Sequence, residues 1–240
     1  IDLIRNSKEE LQQPILNMGA GSNLLFLKDF KGTILKSMIE GVSVLEEDDC
    51  KVRVRVGSGW IMDEFIVYSL QQGWYGLENL SDIPGLVGAS AVQNIGAYGV
   101  EIGERIEAVN SISLEDGTKR TFCQEECCYS YRHSIFKAEE KGRHIITYVT
   151  YRLKKKAAFR LSYGNLNEKV AMLGETTLAN VRAAVCDIRR AKLPCPSEIG
   201  SAGSFFMNPV VTTEKAAALA AEYPAMPQYA VVGGVKLSAG

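Results

Sequence analysis

The sequence predicts an α+β fold, on three observations. Runs with strand character dominate the first two thirds of the chain, at 14–18, 33–37, 51–57, 105–114, 118–122 and 145–153. A helical period follows, with Leu178, Val181, Val185 and Ile188 on one face. Strands and helices mix without the regular alternation of a parallel βαβ sheet. The 240 residues suffice for one large domain or two modest ones with real cores.

Each element has its own warrant. PILNM (14–18) is a short apolar run leading into GAGSN, and TILKS (33–37) is a second strand. KVRVRVG (51–57) alternates apolar and charged residues, as a half-buried strand does. MDEFIVYSLQQG (62–73) reads as a helix capped at its C-terminus by Gly73. RIEAVNSISL (105–114) and TKRTF (118–122) flank Glu115-Asp116-Gly117, a hairpin with Asp-Gly at the turn. IITYVTYRL (145–153) is rich in β-branched and aromatic residues. Thr176 or Thr177 caps the helix that ends before Pro194. Cys195-Pro196-Ser197 reads as a linker, and an Ala-rich helix begins near Thr213 with Glu214 in its first turn. There is no internal repeat or low-complexity tract.

Composition excludes several classes. A net charge of −1 gives no electrostatic reason to expect nucleic acid or an anionic membrane. No apolar run approaches the roughly 20 residues of a membrane span, and no signal peptide opens the chain. The expectation is a soluble, cytoplasmic monomer. The sequence starts at Ile1 rather than Met and closes on VVGGVKLSAG as though entering another element, so both ends are expected to be incomplete. Cys50, Cys123, Cys127, Cys128, Cys186 and Cys195 contain no C-x-x-C pair and read as free thiols. His133 and His144 are the only histidines, which excludes a His-rich metal site and limits any Ser-His-Asp triad to one of these two. No metal is expected.

The segment IPGLVGASAVQNIGAYG (83–99) holds four glycines and no charge, in a chain that is 23% charged. GAGSN (19–23) is a second glycine-rich loop. Glycine lets backbone turn sharply and lets N–H groups approach an anion. Ser22, Asn23, Ser90, Gln93 and Asn94 add neutral hydrogen-bonding groups. A P-loop is excluded, because Ala89 and Ser90 follow Gly88 and no lysine is near. The G-x-G-x-x-G fingerprint also fails, since Leu24 stands where the third glycine belongs. Each loop alone reads equally as a tight turn. Together they fit a large neutral ligand carrying a diphosphate, and a flavin dinucleotide has those properties.

GAGSN, IPGLVGASAVQNIGAYG, YRHSIF (131–136), RRAKLP (189–194) and GSFFMNP (203–209) occur in the order in which similar segments occur in one known family, and VKLSAG (235–240) resembles the start of a further one. Over nearly its whole length the chain resembles the UDP-N-acetylenolpyruvoylglucosamine reductases. That resemblance implies FAD held between two N-terminal subdomains of the FAD-linked oxidase type. Residues 1–40 would be part of the first, 41–193 the second, and 194–240 the start of an α+β substrate-binding domain. It implies cofactor contacts at Gly19, Ala20, Gly21, Ser22 and Asn23. It implies further ones at Pro84, Gly85, Gly88, Ala89, Ser90, Gln93, Asn94, Gly96, Tyr98 and Gly99.

The implied reaction uses NADPH and FAD to reduce the enolpyruvyl group of a UDP-sugar to UDP-N-acetylmuramate. That product is a peptidoglycan precursor, tied to cell-wall growth, cell shape, the cell cycle and division. Arg132 matches the residue that faces the substrate carboxylate, where a planar guanidinium makes two parallel bonds. Ser204 matches the proton donor; so weak an acid suffices when the acceptor is an enolate. Tyr131, Tyr163, Arg189, Lys192 and Asn208 match substrate positions. Tyr163 resembles a tyrosine that closes over substrate in one subgroup. Arg189 and Lys192 fall near the uridine diphosphate, although basic residues also favour helix C-termini. Met207 stands where the family has lysine. A catalytic glutamate of the family falls beyond these 240 residues, so this chain is expected to bind flavin better than it turns over. The alternatives are another FAD-linked oxidase, acting on a different alcohol or sugar, and a non-catalytic flavin-binding module.

Overall fold

Val52, Val54 and Val56 are wholly buried, so the alternation at 51–57 does place one face of a strand in the core. The computed structural model describes residues 11–195, 198–201, 206–231 and 233–238. It divides the chain into two units, Ile1–Lys192 and Leu193–Gly240. In the first unit the strands are β1 (Ile15–Asn17), β2 (Thr33–Leu35), β3 (Val42–Glu47), β4 (Lys51–Gly57), β5 (Gly96–Ala97), β6 (Val100–Glu101), β7 (Ile106–Ser113), β8 (Lys119–Cys123) and β9 (His144–Lys154). Its helices are α1 (Met62–Gln71), α2 (Val87–Gln93), α3 (Leu166–Met172) and α4 (Leu178–Lys192).

An antiparallel sheet of order β3-β4-β9-β7-β8 is the scaffold, and β1 and β2 form a separate parallel pair. In the sheet Val52, Val54 and Val56 pair with Leu153, Tyr151 and Val149, all wholly buried. Helix α1 lays Met62, Phe65 and Ile66 on this face, and Phe65 stacks on Tyr151 at 5.2 Å. On the outer face the register sets Arg53 directly opposite Arg152, a repulsive pairing on its own. A bulge between Ile106 and Ala108 frees Glu107 to lie between them. Its carboxylate accepts from Arg53 Nε at 2.8 Å and Arg152 Nη2 at 2.8 Å.

The helix ends follow local chemistry. Past α1, Gly73 takes a φ of 71°, its N–H donates to Leu70 O, and Trp74 N–H donates to Ser69 O. That is a Schellman motif, as the glycine predicts. Thr177 Oγ1 accepts from Asn180 N at 3.1 Å and so caps α4. Val181, Val185 and Ile188 pack with Leu166 and Val170 of α3. The short strands β5 and β6 escape the sequence reading, and so do three longer elements. β3 is an edge strand with five of six positions exposed, so it shows no buried alternation. α3 buries only Leu166 and Val170, too few for a period. α2 lies inside the glycine-rich segment, where glycine signalled a loop.

The second unit holds β10 (Val210–Val211), α5 (Thr213–Glu222), β11 (Gln228–Val231) and β12 (Gly234–Leu237), with the sheet in the order β10-β12-β11. The expected helix start at 213 is present, and Thr212 Oγ1 caps it by accepting from Lys215 N. Pro196 and Ser197 of the expected linker lie outside the described residues. Among the described residues no helix is long and apolar enough to cross a membrane.

A bidentate ion pair joins α4 to α1. Arg182 Nη1 and Nη2 meet Asp63 Oδ1 and Oδ2 at 2.6 and 2.7 Å. Burial alone would raise the Asp63 carboxyl. The Arg182 guanidinium and the Asp82 N–H outweigh it and hold the group below the usual carboxylate range. A depressed folded-state pKa stabilises the fold above the unfolded pKa of about 3.9 and loses that stability as pH falls through the folded value. Arg182→Ala is therefore expected to cost about 1–2 kcal/mol at neutral pH, between exposed and buried pairs. Urea unfolding at pH 7 and near pH 3 checks this: the difference from wild type should shrink in acid, and an equal difference at both would contradict the pairing.

Candidate functional site

The two glycine-rich segments, far apart in sequence, meet in space. A Cβ on Gly19 would stand 2.9 Å from Ala89 Cβ, and one on Gly85 would stand 3.9 Å from Ser22 Oγ. Ala20, Ser22 and Asn23 are exposed beside this contact, and Gly21 has a φ of 78°. Underneath, Gly88 N donates to Ser58 O at 2.9 Å, and a Cβ at 88 would meet Ser58 Cβ at 2.8 Å. Ser58 is fixed in turn by donating to Ile146 O at 2.7 Å.

This packing corrects the reading of 83–99 as an open loop. Gly88 serves helix-to-backbone contact, and α2 is built of small residues to permit it. Two side chains expected at the ligand turn inward instead. Ser90 is 3% exposed and donates to Val87 O at 2.7 Å. Asn94 is 1% exposed and bonds wholly within the fold. Gln93 is half-buried, and Pro84 is exposed at the start of the segment.

The segment is fixed at both ends. Before Pro84, Asp82 holds a φ of 62° while its N–H donates to Asp63 Oδ1 at 2.6 Å and its carbonyl accepts from Arg189 Nε at 3.1 Å. Arg189, expected at substrate, thus has its Nε engaged in supporting this turn. Beyond α2, β5 and β6 form a hairpin in which Tyr98 and Gly99 occupy the tip at φ of 47° and 79°. Positive φ at both central residues marks a type I′ turn. Tyr98 O accepts from Asn79 Nδ2 at 2.9 Å, and its ring meets Tyr163 edge-on at 6.0 Å. Burial pushes the Tyr98 hydroxyl above its ordinary pKa.

Arg132 reaches the same hairpin from another part of the chain. Ser130 and His133 exchange backbone hydrogen bonds at 3.3 and 2.9 Å, which puts Tyr131 and Arg132 at the tip of a tight turn. Arg132 has a φ of 56° and lies 5.3 Å over the Tyr131 ring. Its Nη2 donates to Gly96 O at 2.8 Å. A Cβ on Gly96 would stand 2.8 Å from Arg132 Nη1 and 3.0 Å from Glu101 Cγ, so the guanidinium lies on the Cα of residue 96.

The structure therefore gathers 19–23, 83–99, Tyr131, Arg132 and Tyr163. Lys192 is exposed at the end of α4. Asn208 is half-buried in the second unit, and Ser204 lies outside the described residues. Sequence reasoning missed Ser58, Asn79, Asp82 and Glu101. Asp82 and Glu101 left one signal, as the charges that bound the uncharged run. An acidic cavity of about 350 Å³, lined by Asn94, Glu101, Glu104, Glu125 and Tyr129, opens behind the hairpin. Its carboxylates would repel a diphosphate. The neutral glycine cradle is the side that fits such a ligand. Among the described residues no group of three or more metal-ligating side chains occurs, and no disulfide joins the six cysteines.

Residues 2–122 match the FAD binding domain family. Over 228 residues, 95% of this chain and 68% of the relative, the sequence is 50% identical to UDP-N-acetylenolpyruvoylglucosamine reductase of Bacteroides fragilis. It is 47% identical to that of Porphyromonas gingivalis over 243 residues, covering 100% of this chain and 72% of the relative. The chain belongs to the UDP-N-acetylenolpyruvoylglucosamine reductase family. The crystal structure of the Thermus caldophilus reductase shares the fold, with a TM-score of 0.58 at 21% identity over 98% of this chain and 77% of that one.

Within this reductase-family chain, the contact of Arg132 with Gly96 is open to test. Gly96→Ala is expected to cost about 1–3 kcal/mol by overpacking. In an Arg132→Ala background the cost should be smaller, because the tightest contact is gone and only Glu101 Cγ and Val100 O, at 3.0 and 3.1 Å, still crowd the new methyl group. Urea unfolding of the double-mutant cycle reads this, and additive losses would contradict the contact.

Proposed function

We propose that this chain is a UDP-N-acetylenolpyruvoylglucosamine reductase, which uses NADPH to convert the enolpyruvyl ether of its substrate to the lactyl ether of UDP-N-acetylmuramate, for peptidoglycan synthesis. The observation that carries the reading is Arg132, a cation laid on Gly96 at the end of a neutral glycine cradle. FAD, when bound, relays hydride from NADPH to the methylene carbon of the enolpyruvyl group. The cradle of 19–23 and 83–99 would hold that cofactor through backbone N–H groups, with exposed Ser22 and Asn23 beside it.

The protein handles charge and protons. Hydride addition at the methylene carbon leaves negative charge on the neighbouring carbon, delocalised into the carboxylate. Arg132 faces that carboxylate with donors fixed in one plane. The balance also needs one proton on the neighbouring carbon, and we assign its delivery to Ser204 from the GSFFMNP resemblance. Tyr163, which packs against the Tyr98-Gly99 tip, is assigned by the resemblance to cover substrate. Lys192 and Asn208 are assigned to the sugar nucleotide by the same resemblance, and Arg189 to support of the Asp82 turn. A cytoplasmic monomer that serves cell shape and division, without nucleic acid or membrane as partner, completes the reading.

The test is the visible spectrum of the full-length protein under anaerobic conditions. Flavin absorbance should bleach with NADPH and recover on adding the enolpyruvyl UDP-sugar. Bleaching without recovery would instead indicate an oxidase on the same scaffold, and absence of flavin after FAD is supplied would remove both readings. Arg132→Ala should bleach normally and recover about 10²–10³-fold more slowly, the loss typical of a preorganised charge-stabilising donor.

A further inference from the structure

We infer that Asn94 is a positioning residue for Arg132, which holds the Glu101 carboxylate away from the guanidinium; the inference rests on the role proposed for Arg132. Asn94 closes α2 with a φ of 43°, a conformation asparagine tolerates better than other side-chain-bearing residues. Its amide uses both donors and its acceptor. Nδ2 donates to Glu101 Oε2 at 2.9 Å and to Ser130 O at 2.7 Å, while Oδ1 accepts from Gly103 N at 2.9 Å.

Two of these partners border Arg132. Ser130 opens the turn that carries it, and Glu101 pairs across the hairpin with Gly96, on which the guanidinium rests. Glu101 Cγ and Arg132 Nη1 flank the same point above the Gly96 Cα, yet their charged groups form no ion pair. The Asn94 amide explains the separation, because it fixes the carboxylate on its own side of β6. Without that amide, Glu101 is free to swing onto Arg132 and compete with a substrate carboxylate. Ser134 Oγ, donating to Val92 O at 2.6 Å, ties the Arg132 segment to α2 independently. Losing the amide therefore leaves the turn attached while releasing Glu101.

Asn94→Gly separates the two duties of the residue, since glycine adopts the same backbone conformation without strain. In the full-length protein this variant is expected to keep bound FAD and to be reduced by NADPH within about threefold of wild type, while recovery with the enolpyruvyl UDP-sugar slows about tenfold or more. Adding Glu101→Gln removes the competing charge and should restore most of that rate. A merely structural loss would slow both halves together and would not be rescued. The ¹⁵N–¹H signal of the Arg132 Nε–H gives a readout independent of turnover: it should shift in Asn94→Gly and return in the double variant. Unchanged recovery in Asn94→Gly, or no rescue by Glu101→Gln, would overturn the inference. If the wild type fails to recover with this sugar, the proposed activity falls, and the Arg132 signal decides alone. A shift restored in the double variant then sustains the positioning role, and an unshifted signal overturns it.

Discussion

The site depends on how closely α2 approaches the backbone beneath and beside it. Gly88 N–H reaches Ser58 O at 2.9 Å, and Gly19 lies on Ala89 with no room for a methyl group between them. A side chain at either glycine would lift the helix from the end of β4 or push the first loop off the helix. Either movement would separate the two segments that form the cradle and carry the β5–β6 hairpin with it. Arg132 contacts that hairpin through Gly96 O, so its position is inherited from the same packing. Glycine is therefore needed here for close approach at least as much as for conformational freedom.

The charges follow a consistent plan. Arg53 and Arg152 share Glu107, Arg160 meets Glu104 at 2.7 Å, and Arg182 is matched by Asp63. Each of these cations is neutralised by a carboxylate. Arg132 differs, because its guanidinium donates to a carbonyl rather than to an acid. A neutral partner fixes the geometry without cancelling the charge. Asn94 plays the complementary part when it occupies the nearby Glu101 carboxylate with a neutral amide.

Most of the scaffold was legible because burial there follows simple periods. The alternation of 51–57 and the helical face of α4 each correspond to a side of the core. The Gly73 and Asp116-Gly117 signals named a cap and a turn that are present. The glycine-rich segment was not legible as a helix, since the Gly88 that lets α2 pack closely also weakens its propensity. The roles of Ser90 and Asn94 were misread for a related reason. A neutral polar residue beside a glycine suits a ligand or a buried network equally, and only its bonds tell which. Asn79, Asp82 and Ser58 act through partners distant in sequence, and no local pattern announces that.

The backbone supplies an independent argument for where function lies. Among the described residues, Asp82, Asn94, Tyr98, Cys128 and Arg132 combine a side chain with positive φ. All but Cys128 belong to the glycine-rich segment or its launching turn, or to the arginine that rests on it. Such conformations cost about 1–2 kcal/mol each for most residues and persist only where surroundings over-determine them. The surroundings do so in each case. Asp63 and Arg189 hold Asp82, Asn79 holds the Tyr98 carbonyl, and the paired Ser130–His133 turn holds Arg132. Asn94 holds itself through its own amide. A fold that concentrates strained positions in one place, each with a dedicated restraint, is maintaining a geometry that relaxed backbone would not adopt. The restraints on Asp82 fix the start of the segment, and those on Asn94, Tyr98 and Arg132 act at or beside the Gly96 hairpin.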